Sequence, residues 1–120
     1  MLVVKKFGGT SVANKERIYN VCRRCAESYK NGDDVVVVLS AMGKLTDELI
    51  AKAKDINPNP SKREMDMLLT TGEQTSVALA CMAFEALGIP AISLNAFQVA
   101  MHTTSAYSNA RLKRIDTERI

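Results

Sequence analysis

The strongest constraint on the fold is the uninterrupted apolar run at residues 35–39, which contains four consecutive valines. Such a β-branched run predicts a central strand of a parallel sheet, buried on both faces. A second apolar run at residues 2–6 predicts another strand. Between the two, apolar residues recur at helical spacing and stop at Asn31-Gly32, a typical helix C-terminus. This order of elements predicts a right-handed βαβ unit.

The turn after the first strand predicts a phosphate site. Lys6 ends that strand, and Gly8-Gly9 allows backbone N–H groups to approach a ligand at the start of a helix. The turn lacks the Gly-Lys-Ser/Thr of a Walker loop and the three spaced glycines of a dinucleotide fingerprint. The two glycines could also serve only the backbone conformation of the turn, without binding a phosphate. Because ligands bind beyond the carboxyl ends of parallel strands, residues 6–11 and 40–46 should lie side by side.

Beyond the second strand the pattern alternates between helices and strands. Thr70-Thr71-Gly72 is predicted to interrupt a helical stretch, so that Glu73 begins a new helix. The predicted elements are a helix from Thr46 or Asp47 to about Ile56, helices over 63–69 and 73–87, and strands over 91–94 and 111–115. The helix over 73–87 is apolar all round and is therefore predicted to be buried.

Length and composition narrow the function classes. A chain of 120 residues with 47% hydrophobic and 24% charged residues is typical of one globular domain. It has no apolar run of membrane-spanning length and no signal peptide, so we expect a cytoplasmic protein with no membrane partner. A net charge of +3 without an arginine-rich run argues against a nucleic-acid partner. Anionic small substrates suit this balance better.

The cysteines and the single histidine do not predict a metal site. Cys22 and Cys25 have the spacing of half a zinc or redox motif, but both lie on the apolar stripe of the first helix. A zinc site would need two more ligands, and only Cys81 and His102 remain. We therefore interpret the cysteines as core residues, predict no metal ligand, and assign no role to His102.

Each polar candidate also has a purely structural explanation. Ser40 could bond at a strand end, and Thr46 could cap a helix. Glu73 could complement a helix dipole, or it could hold a substrate ammonium group in a cleft. Lys6 facing a closed site would need an anionic partner, whereas Lys5 alternates with it and should face solvent.

Five segments resemble one enzyme family. The string Lys6-Phe7-Gly8-Gly9-Thr10-Ser11-Val12 resembles the signature of the aspartate kinases, which are members of the amino acid kinase family. Residues 40–47 resemble that family's second loop, and Thr71-Gly72-Glu73 resembles its third motif. Residues 93–98 and 109–111 are more loosely similar to later segments. The resemblance therefore runs along essentially the whole chain, in order.

The resemblance implies a fold and a reaction. The fold is α/β, a three-layer α/β/α sandwich with a mostly parallel sheet of the amino acid kinase or carbamate kinase type, incomplete at its C-terminal side. The reaction transfers the γ-phosphoryl group of ATP, with Mg²⁺, to the β-carboxylate of L-aspartate, as the first step of lysine, threonine and methionine biosynthesis. Such a transfer depends on positioning and charge neutralisation more than on proton transfer.

The resemblance also assigns roles to individual residues of this chain. They are Lys6 as the catalytic lysine; Lys6, Gly8, Gly9, Thr10 and Ser11 as the phosphate-binding turn; and Ser40, Thr46 and Glu73 as the substrate-binding set. Within that set, Glu73 would receive the ammonium group of aspartate. Asn95-Ala96 departs from the family, because relatives often have Thr-Gly there and glycine reaches conformations that alanine avoids.

The family's kinase domain is longer than this chain and is followed by regulatory domains. We therefore expect residues 1–120 to be the N-terminal, amino-acid-binding part of a kinase domain that lacks its nucleotide-binding half and is inactive alone. The parent enzyme is expected to be a homo-oligomer. The alternatives are another amino acid kinase, acting on glutamate or acetylglutamate, and a non-catalytic binding or oligomerisation module.

Overall fold

A computed structural model describes all 120 residues and contains two small sheets and three helices. None of the helices is long and apolar enough to cross a membrane. In chain order the elements are β1 (Leu2–Phe7), a 3₁₀ turn (Gly9–Val12), α1 (Lys15–Lys30), β2 (Asp34–Leu39), α2 (Leu45–Ile56), α3 (Lys62–Ala86), β3 (Met101–Thr103) and β4 (Leu112–Ile115).

The βαβ unit is formed as predicted. Strands β1 and β2 pair in parallel, with Leu2 opposite Asp34 and Phe7 opposite Leu39. Helix α1 connects them, and it begins where the Asn14 side chain accepts a hydrogen bond from the Arg17 N–H at 3.0 Å. The parallel pair and its crossover helix confirm the α/β class.

The hydrophobic core lies on one face of this sheet, where α1 and α3 pack together. Helix α1 contributes Cys22 and Cys25, helix α3 contributes Phe84, and β2 contributes Leu39, all of them buried. Alternate strand residues point toward this cluster because side chains in a strand alternate between faces. The inward-facing strand residues are Phe7, Val35, Val37 and Leu39.

The other face of the sheet is largely exposed. Leu2 is 64% exposed, Val4 63% and Val38 44%. The prediction that residues 35–39 are buried on both faces is therefore wrong for this chain, because helices cover only one side of the sheet. This surface, defined by Leu2, Val4, Lys6, Val36 and Val38, is called the open face below.

Lys5 also departs from its prediction. It lies on the packed side of the sheet, half-buried, and its Nζ donates a hydrogen bond to the Arg24 carbonyl of α1 at 3.1 Å. The aliphatic part of a lysine can cover apolar surface while its ammonium group finds a polar partner. Lys5 is therefore a structural lysine, and the exposed lysine of the pair is Lys6.

Helix α3 is continuous, contrary to the predicted interruption at residues 70–72. Gly72 is buried in the middle of the helix, where a methyl group in its place would lie 3.0 Å from the Cβ of Ala41. This glycine permits close packing and does not end the helix. The prediction of burial all round is wrong as well, since Leu79 and Met82 are exposed.

The C-terminal third differs from the predicted strand order. Residues 91–94 do not form a strand, because no neighbouring strand offers them main-chain partners. Strand β4 confirms the strand predicted over 111–115, but it pairs antiparallel with β3 in a separate sheet. The side chains of His102 and Asp116 meet there at 3.0 Å, and this hydrogen bond, followed by one from Arg114, lowers the pKa of Asp116.

Candidate functional site

The turn after β1 is fixed by its own hydrogen bonds. Gly8 is extended and precedes the 3₁₀ turn, and its carbonyl accepts a hydrogen bond from the Ser11 N–H at 3.1 Å. Nη1 of Arg17 donates to the Thr10 carbonyl at 2.8 Å, which ties the turn to α1. Val12 is completely buried and anchors the end of the turn in the core.

The loop after β2 lies directly against this turn, as predicted from the edge-of-sheet rule. The Ser40 N–H donates to the Phe7 carbonyl at 3.3 Å, and the Gly43 N–H donates to the Gly9 carbonyl at 2.9 Å. Gly43 has a φ of 51°, in the left-handed region that favours glycine. Glycine is thus needed at residue 43 for the second loop to reach the first.

The two glycines of the turn have different roles. A methyl group at Gly9 would lie 2.7 Å from the Ala41 carbonyl oxygen, so glycine is required there by the packing of the two loops. A methyl group at Gly8 would meet nothing within 4 Å. Geometry therefore explains Gly9, whereas no contact within the chain requires glycine at position 8.

Helix α3 meets the second loop at its middle. The Ser76 side chain is 1% exposed, and its hydroxyl donates to the Ser40 carbonyl at 2.7 Å. Gly72 packs against Ala41 one turn earlier. Glu73 lies between these two contacts, so the helix places it beside the Ser40 loop. Because it lies in mid-helix, the helix-dipole explanation for this carboxylate is wrong.

The predicted side chains have no partners inside the chain. Lys6, Thr10 and Glu73 are exposed, and Ser11, Ser40 and Thr46 are half-buried. None of the six side chains makes a hydrogen bond or an ion pair with another residue. By contrast, every buried side-chain nitrogen or oxygen of the chain has a hydrogen-bond partner. One ammonium group, one carboxylate and four hydroxyls are therefore left without a partner inside the chain.

The backbone contacts join three of the predicted segments but not the lysine side chain. Residues 8–11, residues 40–46 and the middle of α3 form one contiguous surface. Lys6 emerges on the open face, opposite the side on which α3 packs. Lys6 and Glu73 thus lie at the same end of the sheet but on opposite sides of it.

Cys22 and Cys25 are core residues, as predicted, whereas Cys81, for which the same was predicted, is only half-buried. Burial, reinforced by the neighbouring Cys25 and Cys81, raises the pKa of Cys22 to about 11, and its thiol donates to the Ala80 carbonyl at 3.6 Å. Burial also raises the pKa of Cys25 and that of the half-buried Cys81. A thiol held protonated is a poor nucleophile and a poor metal ligand.

A polar groove of about 180 Å³ lies between α3 and the segment after Ile92, and the sequence pattern did not predict it. Its walls are α3 and the segment that follows Ile92, and its lining residues are Gln74, Val77, Ser93, Leu94, Asn95 and Gln98. The spacing Asn95-x-x-Gln98 could have predicted the turn in this wall, because in such a pair each side-chain oxygen can accept a hydrogen bond from the backbone N–H of the other residue. The Asn95-Ala96 departure does not strain Ala96, because the left-handed alanine of this turn is Ala100, at φ 53°.

Comparison with known proteins identifies the family of this chain. The model of the amino acid kinase family matches residues 1–120, the whole chain. The chain is 56% identical to an aspartokinase of Bacillus sp. (strain MGA3) and 54% identical to one of Geobacillus stearothermophilus, over 99% of its own length in both cases. It spans 29% of the length of each of these relatives.

A solved structure of an aspartate kinase is also similar to this chain. The crystal structure of aspartate kinase from Synechocystis is similar to this chain with a TM-score of 0.76 and 54% sequence identity. The match covers 78% of this chain and 16% of that one.

Proposed function

This chain belongs to the amino acid kinase family, and from that premise we propose that it is the amino-acid-binding part of an aspartate kinase. The parent enzyme would transfer the γ-phosphoryl group of ATP to the β-carboxylate of L-aspartate. The observation that carries the proposal is the convergence of three segments distant in sequence. The Gly8-Gly9 turn, the Ser40 loop and the Glu73 region meet at one end of the sheet.

The chemistry of these groups suits the proposed reaction. Lys6 and the backbone N–H groups of the Gly8-Gly9 turn would neutralise and orient phosphoryl oxygens, which is the main requirement of phosphoryl transfer. The hydroxyls of Ser40 and Thr46 would position the acceptor carboxylate near the transferring group. Glu73 would bind the ammonium group of the amino acid, for which it has no competing cation within the chain.

The proposal extends to the co-substrate and its metal. Mg²⁺ in nucleotide sites is bound by one or two carboxylates together with phosphate oxygens. The residues proposed for the site offer a lysine, hydroxyls and backbone amides, a donor set that fits phosphate, and one carboxylate, Glu73. Mg²⁺ would therefore be held chiefly by the nucleotide, where it would neutralise phosphate charge. This chain's residues would bind the phosphoryl group and the acceptor.

We also propose that the 120-residue chain does not phosphorylate aspartate alone. The nucleotide-binding half would lie in the part of the parent enzyme to which this chain has no counterpart, and its absence would leave ATP without an adenine site. The parent enzyme would be a cytoplasmic homo-oligomer. Aspartyl phosphate can be detected as its hydroxamate after incubation of the purified chain with ATP, Mg²⁺ and L-aspartate. Product above the background of a chain-free control would contradict this part of the proposal.

A calorimetric titration tests the proposed specificity. We expect the 120-residue chain to bind L-aspartate in preference to L-glutamate, and Glu73→Gln to weaken binding roughly tenfold or more, because an ammonium group loses its charged partner. Glu85→Gln is the matched control, since Glu85 is exposed on the same helix but far from the Ser40 loop. Equal affinity of the Glu73→Gln variant and the wild type would overturn the assignment of Glu73.

A second candidate function is favoured by the open face. An apolar sheet surface without a covering layer is typical of an interaction surface, so the chain could act as a non-catalytic association module. The calorimetric titration with L-aspartate, repeated at several chain concentrations, separates the association module from the kinase part. Concentration-dependent association with no heat of aspartate binding would favour the module over the kinase part.

A further inference from the structure

Ser76 is the only buried polar residue of the chain, and its side chain is 1% exposed. It belongs to a stripe of buried residues along α3 whose other members are small or apolar, namely Gly72, Ala80, Ala83 and Phe84. Alanine would fill the same place without the cost of removing a hydroxyl from water, and it is the better helix former. The reason for a serine at this position must therefore lie in the hydrogen bonds of its hydroxyl.

The hydroxyl of Ser76 bonds outside its own helix. Hydroxyls in the middle of a helix commonly donate to the carbonyl one turn earlier, and Thr75 does so, with its Oγ1 2.8 Å from the Thr71 carbonyl oxygen. Oγ of Ser76 lies 2.7 Å from the carbonyl oxygen of Ser40 and 3.1 Å from that of Glu73. Because a hydroxyl has one proton to donate, the shortest contact identifies the Ser40 carbonyl as its acceptor.

The two neighbouring carbonyls differ in their need for a donor. The Glu73 carbonyl lies inside α3, where it accepts from the N–H four residues later. The Ser40 carbonyl lies beyond the end of β2 and receives no hydrogen bond from the backbone. The Ser76 hydroxyl is therefore its donor within the chain, and alanine at position 76 would remove that donor.

Ser40 is held from two sides. Its N–H donates to the Phe7 carbonyl of β1 at 3.3 Å, and its carbonyl accepts from Ser76 of α3 at 2.7 Å. Because peptide groups are planar, these two bonds fix the peptide groups before and after Ser40. The Ser40 hydroxyl makes no bond inside the chain, so β1 and α3 together determine where this free hydroxyl lies.

The same contact sets the spacing between Ser40 and Glu73. Glu73 lies three residues before Ser76, at a neighbouring position on the helix surface. Gly72, which precedes Glu73, packs against Ala41, which follows Ser40. Two contacts one helical turn apart, one polar and one steric, therefore hold the loop against the turn of α3 that carries Glu73.

We propose that Ser76 is a positioning residue, whose bond to the Ser40 carbonyl keeps the Ser40 hydroxyl where it and Glu73 can bind one ligand. Ser76 would not touch the ligand itself, because it is buried. The identity of that ligand as L-aspartate rests on the proposed function, whereas the fixing of the loop does not. Groups that share a small ligand must keep their spacing to within about 0.5 Å, so a loop that opens loses affinity even when the fold is intact.

Hydrogen exchange in the 120-residue chain tests the fixing of the loop without any ligand. The Gly43 N–H, which donates to the Gly9 carbonyl, reports opening of the loop, and the N–H of the buried Cys22 in the middle of α1 reports global unfolding. We expect Ser76→Ala to speed exchange at Gly43 roughly fivefold or more beyond any change at Cys22. Thr75→Ala is the matched control, because it removes an exposed hydroxyl whose bond stays within the helix, and it should leave exchange at Gly43 unchanged.

A calorimetric titration with L-aspartate tests the consequence for binding. We expect Ser76→Ala to weaken binding roughly fivefold or more at a temperature at which the variant is fully folded, and Thr75→Ala to bind as the wild type does. Val37→Ala is a second control, because it removes core contacts away from the loop and would reveal a loss of affinity that comes from lower stability alone. Ser76→Cys keeps a side chain of similar size with a weaker donor, so it should fall between Ser76→Ala and the wild type in both measurements.

The outcomes separate the role of Ser76 from the proposed function. If exchange at Gly43 rises in Ser76→Ala but the wild type does not bind L-aspartate, Ser76 still fixes the loop and the proposed function of this chain fails. If the wild type binds L-aspartate and Ser76→Ala binds it equally well, the proposed function stands and the positioning role is overturned. An equal loss of affinity in Val37→Ala, or unchanged exchange at Gly43 in Ser76→Ala, overturns that role as well. If Ser76→Ala does not fold, unchanged exchange at Gly43 in Ser76→Cys overturns it, and faster exchange there supports it.

Discussion

The two faces of the β1–β2 sheet have similar sequences but different surroundings. On the packed face, Val37 and Leu39 contact helices α1 and α3, whereas on the open face Val4 and Val38 are exposed. The strands alone cannot distinguish the faces, because valines occupy both sides of β2. Burial here is decided by the helices that the chain supplies. The packed face therefore carries the stability of this chain and holds its loops in place, and the open face is a surface that another layer would have to cover.

The largest effect is expected from removing the aromatic side chain that fills the packed face. Phe84→Ala should lower the free energy of unfolding by about 3–5 kcal/mol, since a buried aromatic residue leaves a cavity. Phe97→Ala is the matched control, because Phe97 is 90% exposed, and it should change stability by less than about 0.5 kcal/mol. Urea denaturation followed by circular dichroism measures both. Similar losses for the two phenylalanines would contradict the assignment of the core.

A pH titration probes the same face through Cys22. Burial raises the pKa of this thiol from 9.0 to about 11, so the folded state favours the neutral form. The stabilisation is complete below pH 9 and is lost as the pH rises from 9 to 11, by about 2–3 kcal/mol at most. Cys22→Ala should reduce this loss without abolishing it, because burial also raises the pKa values of Cys25 and Cys81. An unchanged slope between pH 9 and 11 in Cys22→Ala would show that the thiol is not shielded.

The glycine pair tests whether the packed face also fixes the site. Gly9→Ala should cost about 1–3 kcal/mol, because its methyl group would overlap the Ala41 carbonyl oxygen. Gly8→Ala should leave the free energy of unfolding unchanged or raise it slightly, since it meets no atom and restricts the unfolded chain. Thermal unfolding compares the two variants. Equal destabilisation would mean that the first and second loops do not pack as described.

The smallest effect is expected from valine-to-alanine substitutions at two neighbouring residues of β2. Val37→Ala should lower stability by about 1 kcal/mol, and Val38→Ala by about 0.5 kcal/mol or less, because only the first contacts the helices. The substitutions are chemically identical, so differences in strand propensity largely cancel. A loss at Val38 as large as the loss at Val37 would indicate that the open face is covered in solution.

The elements that depend on local pattern were predictable from the sequence. The βαβ unit, the end of α1 at Asn31 and the proximity of the loops at residues 8–11 and 40–46 follow from periodicity, capping and the geometry of parallel sheets. The motif that resembles the family was also visible in the first dozen residues. These features can be predicted without knowing which elements cover each face of the sheet.

The errors have one cause, since each depends on contacts between distant residues. Gly72 looks like a helix breaker until its contact with Ala41 is known, and residues 91–94 have strand composition but no neighbouring strand. Lys5 was expected in solvent because the Arg24 carbonyl that it reaches is 19 residues away. The orientation of the Asn95 and Gln98 amides is likewise a property of the folded turn. A single sequence gives no direct sign of such pairings.

We propose that the packed part of this chain forms an amino-acid site by itself. An amide proton–nitrogen NMR spectrum, recorded during titration with L-aspartate and then with L-glutamate, tests it most directly. We expect a dispersed spectrum with aspartate-selective shifts at Ser40, Thr46 and Glu73. A collapsed spectrum, or a dispersed one indifferent to both amino acids, would contradict it and would mean that further chain is needed to complete the site.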